Sequence, residues 1–174
     1  MRRSKVFKFI GRLFGANKVE PVQEIVRSSF DSNQIKYNPD LIRELEDDHK
    51  QLVADFGKIW SEGFEKKDYA KTNRLITNFK GAFQAHLLAE NIKFYVYLEQ
   101  TLKGDPENLH VVKEFRLDMN KIARAATNFC KRYQVQFTTR HVEQFENDYK
   151  KVGKVLTQRI TLEEESLYVL YKPR

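Results

Sequence analysis

From residue 38 onward, apolar side chains recur three and four positions apart, the period of an amphipathic helix. Nowhere do they alternate in twos for long enough to argue a strand. Local stop and start signals cut this pattern into four pieces. The first begins at Asn38-Pro39, an N-cap followed by proline at the first helical position, and runs to about Glu62, with Gly63 as its stop. The second spans about Asp68 to Lys103 and ends at Gly104. The third follows Asp105-Pro106 and reaches about Tyr133. The fourth starts at Thr138 or Thr139 and continues to about Tyr171, closed by Pro173. Four helices with short connections predict an all-α, antiparallel, up-down four-helix bundle over residues 39–172.

Each helix carries one apolar stripe. Helix one has Ile42, Leu45, Leu52, Val53, Phe56 and Ile59, and His49 falls on the same line. Helix two has Leu75, Phe79, Phe83, Phe94, Tyr97 and Leu98, interrupted by His86 and Glu90. Helix three has Val112, Phe115, Met119, Ile122, Ala126 and Phe129, with Asp118 next to the stripe. Helix four has Tyr149, Val152, Leu156, Leu167 and Leu170, interrupted by Arg159 and Glu163. Residues four apart share a helix face, so both interrupting pairs point inward. Buried carboxylates cost several kcal/mol unless they are paired or bind a cation. Two carboxylates and two imidazoles directed into one bundle therefore need a common explanation. Metal coordination is one, because inward Glu and His on facing helices make the usual ligand set of bundle metal sites. The other is a guanidinium: Arg159 can neutralise Glu90 or Glu163 with forked hydrogen bonds.

Composition narrows the picture. A chain of 174 residues suits one domain with a core that needs no disulfide, and the single Cys130 allows no intramolecular one. That suits a reducing, cytoplasmic setting. The net charge of +7 resembles a nucleic-acid signal until it is located. Arg2, Arg3, Lys5, Lys8, Arg12 and Lys18 carry six of those charges in the first 18 residues, which hold no acid. The remaining chain is close to neutral, so the bundle itself is not expected to bind nucleic acid. Within residues 1–38, read as a basic amphipathic segment and linker, Val6, Phe7, Ile10, Leu13 and Phe14 fall at helical spacing. Such a helix can lie on an anionic membrane surface at the cytoplasmic face or dock on a partner; a frayed basic tail is the plainer alternative. No apolar run is long enough to span a bilayer.

The combined spacing of His49, His86-x-x-x-Glu90, Met119 and Arg159-x-x-x-Glu163 resembles the hemerythrin-like, or HHE cation-binding, family. In that family helix one gives a His, helix two a His-x-x-x-Glu, helix three a His and helix four a His-x-x-x-Glu. The stretch FQAHLLAENIKFY is similar to the helix-two motif. FRLDMNKI is similar to the helix-three motif with Met119 where the His belongs, and LTQRITLEEESLY to the helix-four motif with Arg159 where the His belongs. The resemblance implies a metal site at His49, His86, Glu90 and Glu163, degenerate at Met119 and Arg159. Methionine is a poor substitute for imidazole on iron, and a guanidinium opposes a dication. A di-iron oxygen carrier is thereby disfavoured, leaving either a single iron or zinc ion or a metal-free, salt-bridged polar cluster. Helices two and four are also, more weakly, similar to the bacterial anti-sigma bundles of the Rsd and AlgQ type, which act by binding a protein partner.

The other polar residues lend themselves to no chemistry. His110 and His141 are expected in solvent near helix starts, and Cys130 as a packed thiol. Glu164 and Glu165 are expected to face water. The chain has no phosphate loop, dinucleotide fingerprint or nucleophile elbow. The expectation is a non-enzymatic regulatory or sensory bundle acting through a protein partner. A metal-binding, oxygen- or redox-responsive protein is the first alternative and a metalloenzyme the second.

Overall fold

The structure is a computed structural model and describes residues 34–173. The basic segment over residues 1–14 and most of the linker lie outside the described residues. Among those residues the chain is helical, with no strand. The first helix is α1 (Leu41–Lys58), continued by a π-helical turn, Ile59–Phe64. The second is α2 (Tyr69–Ala89), a π-helical stretch Glu90–Tyr95, and α3 (Val96–Thr101). The third is α4 (Pro106–Tyr133). The fourth is α5 (Thr139–Leu162), a π-helical stretch Glu163–Leu167 and a 3-10 turn, Tyr168–Leu170. Each helix packs on the next and the fourth returns to the first. Pairs such as Lys80–Gln134 and Arg132–Asp148 set neighbouring helices antiparallel. The model is thus an all-α bundle. None of its described helices is long and apolar enough to cross a membrane.

The caps show why the helices start where they do. Asp105 accepts from the Asn108 amide ahead of Pro106, and Asp68 accepts from the Lys71 amide. Thr138 accepts from the amide of His141, whose ring accepts from the Thr138 amide in return. His141 therefore has a capping role, where a solvated ring was expected. Asn38 begins a turn before the first helix: its side chain accepts from the Asp40 amide, and α1 starts at Leu41, two residues later than its proline suggests. Gly63 does not stop the first helix but lies buried in its π-helical turn. A Cβ there would sit 2.7 Å from Thr72 Oγ1 and 2.9 Å from Thr72 Cα, so glycine permits the close approach of the first two helices.

The core has two parts. Toward one end Phe56, Phe79, Phe129, Tyr133 and Phe145 stack and tilt against one another. Toward the other, Phe94, Tyr97, Tyr168 and Tyr171 pack together, and Tyr37 stacks on Tyr171. Several expected core positions differ. Val53 is 52% exposed, and Ile42, Leu75, Tyr149, Val152, Leu156 and Leu170 are only half-buried. The stripe of α5 is incompletely covered, because a cleft opens between the first and fourth helices.

Candidate functional site

The structure brings together the residues that interrupt the stripes. His49, His86, Glu90, Met119, Arg159 and Glu163 are all buried. The rings of His49 and His86 lie 4.8 Å apart, centre to centre. His49 Nε2 is 3.5 Å from Glu163 Oε2. Arg159 donates from Nε to Glu163 Oε1 at 2.7 Å and from a terminal nitrogen to the Tyr95 hydroxyl at 2.6 Å. Its guanidinium also lies 4.8 Å over the ring of Phe115. Met119, from the third helix, shares a cavity wall with both histidines, Arg159 and Glu163.

Four further residues complete the cluster, and the stripe pattern did not reveal them. Glu164 accepts from His49 Nδ1 at 2.9 Å, where it was expected to face water. Asp48 Oδ2 stands 3.4 Å from His86 Nδ1. An ionised carboxylate only accepts, so in each histidine the hydrogen sits on Nδ1 and Nε2 turns inward. Tyr168 places its hydroxyl 3.4 Å from His49 Nε2. Tyr95 receives Arg159. Both tyrosines follow a buried glutamate by five residues, Glu90 to Tyr95 and Glu163 to Tyr168. The α-helical period would leave residues five apart roughly 140° away from each other. Each glutamate opens a π-helical stretch, whose wider turn brings positions five apart onto one face. The repeated Glu-x-x-x-x-Tyr spacing is the signal in the sequence that could have found them.

Electrostatics decide what the cluster can hold. Burial pushes the Glu90 carboxyl well above the usual carboxylate range; Glu163 adds to the shift and Arg159 opposes it. Neither Glu90 oxygen has a hydrogen-bond donor, as would befit a carboxylate in search of a cation. Burial works against the charge on Arg159, but Glu163, Tyr95 and Glu90 outweigh it and the group stays cationic. Burial, with His49 second, lowers the His86 pKa. The centre is therefore an ion pair, Arg159 with Glu163, beside Glu90, whose burial favours its protonated form.

The residues present do not fit the two-iron centre that the resemblance implies. Two of its imidazole positions hold Met119 and Arg159, and the guanidinium on Glu163 brings a charge of the wrong sign to the site. Among the described residues, no three His, Cys, Asp or Glu side chains form a group that could hold a metal ion. Cys130 is fully buried, and burial pushes its thiol up to about 12, as expected of a packed side chain.

No curated protein and no solved structure matches the chain. The family model of the hemerythrin HHE cation-binding domain matches residues 40–171, which takes in all four helices and every residue of the cluster. Family members bind metals such as iron. The chain belongs to the hemerythrin HHE cation-binding domain family.

Proposed function

We propose that this chain is a non-enzymatic hemerythrin-like bundle that regulates or senses through contact with a protein partner, its metal centre replaced by an ion-pair cluster. Arg159 carries this reading. Its guanidinium stands at a ligand position of the family and is held by Glu163, Tyr95 and the ring of Phe115. It supplies from within the chain the positive charge that a metal would bring. A bundle whose centre is satisfied in this way acts by what it binds, and the weaker likeness to anti-sigma bundles points the same way. The test is to load the protein anaerobically with ferrous iron or zinc, desalt it without chelator and measure metal and absorbance. The expected result is well under one metal per chain, with retention rising in Arg159→His. Near-stoichiometric iron with a charge-transfer band in the unmodified protein overturns the proposal.

One observation favours a second reading, a single iron or zinc ion on His49, His86, Glu90 and Glu163. Both histidines anchor Nδ1 on a carboxylate and turn Nε2 inward, the orientation usual for metal-bound imidazole, and Glu90 has two oxygens without donors. That ion requires Arg159 to leave the centre. One equivalent of retained metal that raises stability would select this reading.

A further inference from the structure

A cavity of about 60 Å³ runs from the histidine pair toward solvent between the first and fourth helices. At its solvent end stand Val53 and Thr157, both exposed. Its middle is walled by Leu52, Phe56, Phe79, Phe83 and Leu156. Gly153 faces Phe56 there: a Cβ on it would come within 3.0 Å of the ring, so glycine keeps the passage open. At the inner end are His49, His86, Arg159 and Glu163. A cavity of this size holds several non-hydrogen atoms, since one water needs roughly 10–15 Å³ by the same kind of measure.

We propose that this cavity binds a small uncharged amphiphile, with its apolar body among the phenylalanines and a hydroxyl donated to Nε2 of His86. Two observations carry the choice of ligand. His86 is 5% exposed and lines the cavity, yet among the described residues its one hydrogen-bonding contact is Nδ1 with Asp48, which leaves the Nε2 lone pair without a donor among them. An acceptor that opens onto an apolar cavity without a donor is a place for a hydroxyl hydrogen. The charges exclude ionic ligands. Arg159 is already neutralised by Glu163, so an anion finds no free cation, and a cation would meet the guanidinium. The proposal rests on the metal-free reading, because a metal on the imidazoles would take the same lone pair.

The full chain is titrated into 4-fluorophenol, and separately into 4-fluorotoluene, by fluorine NMR, with metal content measured on the same sample. The expected result is saturable binding of the phenol at least tenfold tighter than of the toluene. His86→Phe should abolish that preference, and Thr157→Trp, at the exposed mouth, should weaken both ligands at least tenfold. Absent saturation, equal affinities, or binding that survives Thr157→Trp each overturn the proposal while leaving the metal-free reading standing. Binding that requires added iron or zinc overturns both.

Discussion

Replacing Arg159 by leucine tests whether the guanidinium holds the centre together. The substitution removes two hydrogen bonds, Nε to Glu163 at 2.7 Å and the terminal nitrogen to Tyr95 at 2.6 Å, and the stacking over Phe115. A hydrogen bond to a charged group is worth about 1.5–3 kcal/mol and a desolvated cation–π contact up to about 2. Against these losses stands the relief of burying one cation fewer. The balance for breaking a buried pair on one side is a destabilisation of about 3–5 kcal/mol, because Glu163 keeps its charge with no partner. His49 Nε2, 3.5 Å from Glu163, remains beside it in the variant, which places the expectation toward the lower end. Urea unfolding at neutral pH, followed by far-UV circular dichroism, reads the change directly. The double variant Arg159→Leu with Glu163→Gln removes the orphaned charge along with its partner and should recover at least half of the loss. An Arg159→Leu protein within about 1 kcal/mol of wild type, or a double variant no more stable than the single one, refutes the argument.

Three other outcomes follow from the same geometry. Glu90→Gln should stabilise the bundle above the ordinary carboxylate range, and increasingly so as pH rises: the folded state holds the Glu90 proton that the unfolded chain releases, so wild-type stability falls with rising pH. Urea midpoints of the two proteins across pH will show it, and a pH-independent difference would contradict it. His86 titrates below its ordinary value when folded, so stability is complete above about pH 6.5 and is lost as pH falls below it. His86→Phe should flatten that part of the profile. Gly63→Ala should cost about 1–3 kcal/mol, because its Cβ meets Thr72 backbone, whereas Gly81→Ala, with nothing within 4 Å inside α2, should gain about 0.5–1 kcal/mol. Thermal or urea unfolding of both variants checks the contrast, and equal effects would show that the contact at Gly63 is not limiting.

How much of this was legible beforehand follows from what a fixed period can and cannot carry. The four helices and the inward direction of His49, His86, Glu90, Arg159 and Glu163 were legible because each lies within a regular α-helical stretch, or at its end, where three-and-four spacing holds. Beyond Glu90 and Glu163 the chain adopts the wider π-helical turn, which keeps Phe94, Tyr97, Leu98 and Leu167 inside as counted and widens the inner face. Tyr95 and Tyr168, five residues on, then fall on the inner face that the count assigns elsewhere. Glu164 adjoins the start of such a stretch and reaches His49 across the bundle, a contact no single-helix pattern encodes. Val53 failed for a different reason. Its stripe position is correct for a closed bundle, but Val53 stands at the mouth of the cleft between the first and fourth helices, which leaves it exposed.

The π-helical stretches also bear on how an iron position comes to hold an arginine. Each places a tyrosine hydroxyl beside the carboxylate layer, one on Arg159 and one near His49. A guanidinium carries five donors in a fixed plane, and a buried one is costly unless they are met. Glu163 and Tyr95 meet two of them from two different helices, while Phe115 on the third takes the flat face of the group. Arg159 thus ties three helices, a connection that an imidazole with two ring nitrogens could not make alone. The expected consequence is specific: Tyr95→Phe keeps the ring and removes only the acceptor. It should cost about 1–2 kcal/mol in urea unfolding, and that cost should disappear in the Arg159→Leu background. A cost of the same size in both backgrounds would mean that Tyr95 matters as packing alone, and that Arg159 does not join the helices in the manner argued.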